Sequence, residues 1–481
     1  MRAWFSLCLF ALLACGSENP SSDGGAEVDA SVRDSGVDTG RDGGDVAPDA
    51  SLANDTAAQL EAHYETYGGR DAFSAVHRDA LETLLYAEDE IAAGDLEAAR
   101  ERLDALLEGG GFDARGWPSS SDPVNVGSPV AYYGLRMVDQ IVRLDRPVTG
   151  TLQMTAVVAT CAEVSRPTLP DLEAEVVNLD VDPRVLADDA RVLHQATALF
   201  RRWVQAISGL EVRLVVAPME GCTTVTYTDD GSIVVSYPDA NQMVESVSAE
   251  VRSTTNLWWV VAPSGVQGDG RGFGRHFITG GMSGYGRGQP LFLSDDAWFL
   301  RKPEHLGTGD YTDVERRAYH PQWFQHEFMH HLFRTWPDFG LEDTSHQWFD
   351  RGTWPADFVG SIEPDYYAEA LEKRLLDATP SLAEALAVLS PGPLGATPLT
   401  ALEGAYERRP VENGYHEVTV RVAGGVATWR NAAGASWALV VEDGYLRAAP
   451  TSPYPDESVF LDREGEVVVA LWFLGERYER L

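Results

Sequence analysis

Apolar residues recur at two different periods along this chain, and the change of period divides it. Residues 56–110 carry helical spacing and predict a hairpin of helices, with heptad-like positions over 80–107 broken at Gly94-Asp95. Residues 110–150 read as loop-rich, on the strength of Trp117-Pro118 and Asp122-Pro123. The stretch 151–164 is apolar and β-branched and predicts one strand, carrying Cys161. An amphipathic helix follows over 183–208, stopped by Gly209. Strands at 211–217, 232–237 and 256–262 alternate with a helix at 240–254, the signature of a mixed α/β domain. The glycine-dense run 265–288 predicts a long loop, and 290–293 a short strand after it. Helical spacing returns around 321–335 and over 363–377.

Beyond Ser390-Pro-Gly-Pro393 the period falls to two. Strands are predicted at 418–422, 426–430, 438–441, 446–448, 458–461 and 467–471, separated by Gly424-Gly425, Gly434 and Gly465. The fold class that follows is α+β. A mixed α/β domain over 111–390 is preceded by the hairpin, and a small antiparallel β domain over 395–481 follows it.

The N-terminus carries an address rather than a fold. Residues 1–15 place Arg2 before an apolar run at 4–13 that is too short to span a membrane as a mature helix. The run ends Leu12-Leu-Ala-Cys15-Gly16, which resembles the bacterial lipoprotein signal. That resemblance implies cleavage before Cys15, its acylation, and a protein exported and held to a membrane by its lipid. An ordinary secretory signal cut near Ala14 is the alternative, and it too implies export. Residues 16–55 are rich in Ser, Gly and Asp with few large apolar side chains, a composition that cannot bury enough surface to fold. They read as a flexible acidic tether.

One stretch carries chemistry. His320-Pro-Gln-Trp-Phe-Gln-His326-Glu327-Phe-Met-His330-His331 contains H-E-x-x-H. On a helix, His326 and His330 lie about 40° apart around the axis, so two imidazoles can converge on one zinc ion. Glu327 stands beside the first ligand, where a carboxylate can take a proton from an activated water. Pro321 suits a first helical position, and Trp336-Pro337 supplies a stop. Trp323, His326, His330 and Phe333 share a face, so apolar groups would line the site.

The motif resembles that of the zincin class of metallopeptidases. The resemblance implies a zinc cofactor, hydrolysis of peptide bonds, and a peptide or protein substrate outside the cell. A catalytic zinc needs a third protein ligand and an open position. The metzincin extension is absent, because Phe333 and Trp336 occupy the positions where it has Gly and His. No N-E-x-x-S-D follows, as a thermolysin-like site would have. His346 is the favoured third ligand, with Glu342, Glu363 and Glu369 as competitors. His331, at i+5, reads as a packed histidine, and His320 as an exposed one near the helix start.

Two weaker resemblances complete the picture. Residues 80–107 are similar to a single tetratricopeptide-like hairpin, though no repeat follows. Leu402-Glu-Gly-Ala-Tyr406 and the short strands after it resemble the lipocalin-like modules appended to bacterial secreted enzymes. A small barrel of that kind either holds a ligand or serves as a packed accessory.

Composition narrows the partners. A net charge of −37 makes nucleic acid an unsuitable partner, although part of the charge belongs to the tether. Of the four cysteines, Cys8 and Cys15 fall in the signal, which leaves Cys161 and Cys222 to form one disulfide in an exported protein. A non-enzymatic alternative remains open: a surface lipoprotein in which a closed, four-ligand zinc site is structural and the β domain binds ligand.

Overall fold

The computed structural model describes residues 55–108, 123–158, 162–165, 190–191, 193–219, 221, 223–227, 233–234, 243–263, 276–277, 312–318, 321, 324–325, 328–329, 332, 363–372, 381–387, 392–408, 417–442, 444–453, 458–473 and 476–481. The signal, the tether, most of the glycine-dense run and the predicted strand at 290–293 lie outside these.

Three helices open the described chain: α1 (Thr56–Thr66), α2 (Ala75–Ala92) and α3 (Leu96–Glu108). Side chains that prefer turns start each of them. Asp55 accepts from the Ala58 amide at 3.0 Å, Ser74 from His77 at 3.2 Å and Asp95 from Ala98 at 3.0 Å. The break at Gly94-Asp95 falls where the sequence puts it.

A fourth helix, α4 (Pro123–Leu144), overturns the loop-rich reading of 110–150. Pro123 is its first residue, where a missing N–H costs nothing. Ala131, Leu135, Val138 and Val142 then recur at helical spacing and are all buried. Gly134 lets α4 approach α2, since a Cβ there would stand 2.7 Å from Leu84 Cδ2.

The α/β layer follows, with β1 (Gly150–Val158), β2 (Ala162–Ser165), α5 (Ala198–Ser208) and β3 (Leu210–Pro218). After them come β4 (Thr223–Tyr227), β5 (Ile233–Val234), α6 (Ala249–Thr254), β6 (Leu257–Pro263) and β7 (His276–Phe277). One sheet has the order β3-β1-β6-β7, with β3 and β6 parallel to β1 and β7 antiparallel to β6. The central strand β1 is buried on both faces from Met154 onward, as its run of apolar residues requires.

The single strand predicted over 151–164 is two strands, because β2 leaves for a second sheet of order β2-β4-β5. The predicted helix at 240–254 is also divided. Its described part breaks at Val247, and Ser248 accepts from the Val251 amide at 3.4 Å to start α6. Helix α5 ends at Gly209, which takes the left-handed conformation (φ 77°) beside the carbonyl of Pro147.

Short helices α7 (Asp313–Ala318), α8 (Glu363–Ala370) and α9 (Leu382–Ala387) complete this body. One continuous apolar core joins it, running from Leu60 and Leu84 through Trp203 and Trp259 to Tyr367 and Leu386. The hairpin helices share that core with the sheet.

The C-terminal part is a closed eight-stranded antiparallel barrel. Its strands are β8 (Gly404–Arg408), β9 (Glu417–Ala423), β10 (Val426–Asn431), β11 (Ser436–Glu442), β12 (Tyr445–Ala448), β13 (Ser458–Glu464), β14 (Val467–Phe473) and β15 (Glu476–Arg480). They pair in chain order, and β15 closes on β8. Alternate residues point inward. Tyr406, Val420, Trp429, Leu439, Leu446, Val459, Leu461, Leu471 and Phe473 form a core of their own. The strands expected from sequence are six of these eight.

Candidate metal centre

The polar residues on which the zinc reading depends lie outside the described residues: His326, Glu327, His330 and His346, with Glu342 as a competitor. Cys15, Cys161 and Cys222 also lie outside them. Glu363 opens α8 and Glu369 lies within it, half-buried. Among the described residues, no group of three or more His, Cys, Asp or Glu is placed to hold a metal ion.

The scaffold of the motif is described. Pro321, Phe324, Gln325, Phe328, Met329 and Leu332 are helical, and all six are buried. Positions 321, 325, 328 and 332 follow the i, i+4, i+7, i+11 series of one helix face. That stripe packs on two neighbours. Phe324 meets Trp259 of β6 edge-on at 4.6 Å between ring centroids and lies 5.8 Å from Phe200 of α5. Phe328 meets Phe200 at 5.5 Å and Trp203 at 5.9 Å, both edge-to-face. The segment around the motif is thus fixed to the central sheet and to α5 by four aromatic contacts.

Polar groups extend this anchorage. Trp203 Nε1 donates to Gln140 Oε1 at 2.8 Å, and Gln140 Nε2 donates to Glu372 at 3.3 Å. Arg143 donates to the same Glu372 carboxylate at 2.6 Å, and Arg136 pairs with Asp365 at 3.2 Å. Burial raises the pKa of Glu372, but its bonds to Arg143 and Gln140 and the charge of Arg143 outweigh that and leave it below the usual carboxylate value. Two carboxylates carried by 363–372 therefore serve to dock α8 against α4.

On the other side of the motif stands α7. Thr312 and Glu315 form a reciprocal capping box: the Thr312 amide donates to Glu315 Oε2 at 2.7 Å, and the Glu315 amide donates to Thr312 Oγ1 at 3.2 Å. Thr-Asp-Val-Glu is legible as such a box in the sequence, and it marks a helix that periodicity alone does not reveal. Arg317, two residues further on, has a fully buried side chain and pairs with Glu88 at 2.8 Å and Asp89 at 2.6 Å. No spacing rule points to that pairing, since its partners are more than two hundred residues away.

The described strands β2 and β4 bear on the two remaining cysteines. They run parallel with Ala162 opposite Thr223, the residues that directly follow Cys161 and Cys222 in the chain. Among the described residues no helix is long and apolar enough to cross a membrane.

No protein-family model, no curated protein and no solved structure matches the chain.

Proposed function

We propose that this chain is an exported, lipid-anchored zinc metallopeptidase of the zincin type. His326 and His330 would hold the metal with His346 as third ligand, and Glu327 would act as general base. The observation that carries the reading is that 321, 324, 325, 328, 329 and 332 are helical and buried. A motif that needs two imidazoles at i and i+4 requires a helix there. On a wheel of about 3.6 residues per turn, positions 326 and 330 share one face. A donor set of three imidazoles suits zinc, and the aromatic anchorage supplies the rigid support that a ligand pair needs.

Zinc, when bound, supplies Lewis acidity that polarises a carbonyl and makes water a nucleophile near neutral pH. Glu327 takes the proton of the attacking water and returns it to the leaving amine. The substrate class is a peptide or protein met outside the cytoplasm, with Cys15 as the lipid attachment. The binding-protein alternative draws on no observation of comparable weight, because the described inward side chains of the barrel pack into an apolar core.

The decisive experiment uses Glu327→Gln on full-length protein, with metal content and peptide hydrolysis measured together. Zinc should stay stoichiometric while turnover falls by about two orders of magnitude or more. Unchanged turnover would remove the general-base role, and a metal-free wild type would remove the zinc site. In the same reading Cys161 and Cys222 form a disulfide. Neighbouring strands lie about 4.8 Å apart, within the Cα separation that a disulfide spans. Mass analysis of unreduced protein should find the two linked; two free thiols would exclude the bridge.

A further inference from the structure

Arg317 is bound more completely than a structural ion pair requires. A guanidinium has five N–H donors, and five acceptors from two helices meet them. Nε donates to Glu88 Oε2 at 2.8 Å; Nη1 donates to Thr56 Oγ1 at 2.8 Å and Gln59 Oε1 at 2.7 Å. Nη2 donates to the Leu85 carbonyl at 3.0 Å and to Asp89 Oδ1 at 2.6 Å. Thr56 and Gln59 belong to α1, and Leu85, Glu88 and Asp89 to α2. The network is closed by a bond from Thr56 Oγ1 to Asp89.

Two further ties run between the same partners. His63 Nδ1 and Thr312 Oγ1 are 2.9 Å apart, and Tyr67 donates its hydroxyl proton to Glu315. All three ties join the N-terminal helices to α7, and Arg317 stands four residues before Pro321, at the entry to the motif segment. A planar fork held at all five donors has one position and one orientation.

We propose that Arg317 is a positioning residue for the candidate zinc site: through its five acceptors, α1 and α2 fix where the segment 321–332 begins and hence how its ligands are presented. The N-terminal hairpin is then part of the catalytic unit rather than an appendage to the tether. The link to zinc rests on the metallopeptidase reading above; the mechanical link does not.

The test compares full-length wild type, Arg317→Lys and Arg317→Met by hydrogen exchange and by zinc affinity in competition with a chelator. Glu82→Gln, which removes the partly exposed pair between Arg70 and Glu82 of α2, is the control. Lysine keeps the charge but has three donors, so it retains folding while losing the fixed fork. In Arg317→Lys, peptides covering 313–332 should exchange about tenfold faster while the barrel strands stay unchanged. Zinc affinity should fall by about tenfold or more, as it does when groups supporting metal ligands are removed. Equal loosening of barrel and motif segment, or unchanged exchange at 313–332 in Arg317→Lys, overturns the proposal. If wild type holds no zinc, the metallopeptidase reading fails and the exchange result alone decides the clamp. Should Arg317→Met fail to fold, exchange and zinc affinity in the lysine variant still decide the proposal.

Discussion

Phe328 joins the motif segment to α5, touching Phe200 and Trp203 and exposing none of its surface. Phe328→Ala would leave a cavity among rings that cannot close it, and should cost about 3–5 kcal/mol of stability in urea titration. Gln325, on the same buried face, is a different case, since its Oε1 finds no partner among the described residues. Another residue sets a pH dependence. Burial lowers the pKa of His194, and the charge of Arg201 lowers it further, so the folded protein favours the neutral ring. The stabilisation is complete above the unfolded histidine value of about 6.5 and is lost as pH falls from there through the lowered folded value. The urea midpoint should therefore drop on acidification below about pH 6.5, and His194→Gln should flatten that slope. An unflattened slope would assign the titration to another group.

At the scale of elements, the barrel depends on strands with little apolar character. β8 reads Gly-Ala-Tyr-Glu-Arg and β15 reads Glu-Arg-Tyr-Glu-Arg. In each, a tyrosine is the inward residue: Tyr406 is buried and Tyr478 packs against Trp429 at 5.0 Å. Arg480, paired across from Tyr406, secures the closure by donating to the carbonyls of Ala401 at 3.0 Å and Glu403 at 2.6 Å. Deleting residues 476–481 should open the barrel between β14 and β8 and expose two unpaired strand edges. The expected outcome is self-association in size-exclusion chromatography and loss of the aromatic circular dichroism of Trp429 and its neighbours. A monomer with an unchanged near-ultraviolet spectrum would show that seven strands suffice.

For the whole molecule, the outward face of the barrel decides how independent it is. Tyr445, Phe460 and Trp472 point away from the barrel interior and are nevertheless buried. Beside them Arg447 pairs with Glu245 from the α/β body, Ser458 donates to the same carboxylate at 2.6 Å, and Arg252 lies over the Tyr445 ring at 5.9 Å. The Arg447 and Glu245 side chains are 10% and 6% exposed, so either alone would be a nearly buried charge. Arg447→Ala should therefore cost about 3 kcal/mol or more, read from thermal or urea unfolding. The boundary at Ser390-Pro-Gly-Pro393 suggests a separable module, and the barrel has a core of its own. The body is less self-sufficient. A protein ending at residue 390 uncovers Glu245 and Arg252, and should be less stable than the full chain although its main core is intact.

Local chemistry was legible in the sequence because each signal needs only neighbours in the chain. The period of two over 418–471 gave six strands, Gly209 and Gly94-Asp95 marked their helix ends, and the α/β alternation gave a mixed α+β protein. The helix around H-E-x-x-H belongs to the same class of information, although the buried Phe324, Phe328 and Leu332 are not the Trp323 and Phe333 that the sequence singles out. Features satisfied by distant partners were not legible. Helix α4 looks like a loop through Trp117-Pro118 and Asp122-Pro123 until Leu84 and Trp203 are seen to cover it, and β15 carries no strand signal until β8 closes on it. The stretch 151–164 reads as one strand until β1 and β2 are found in different sheets. Arg317 is one arginine among many until five acceptors from α1 and α2 surround it. Residue type and spacing fix hydrogen bonds and periodicity within a few residues; burial, sheet closure and the pairing of charges depend on which distant surfaces exclude water together.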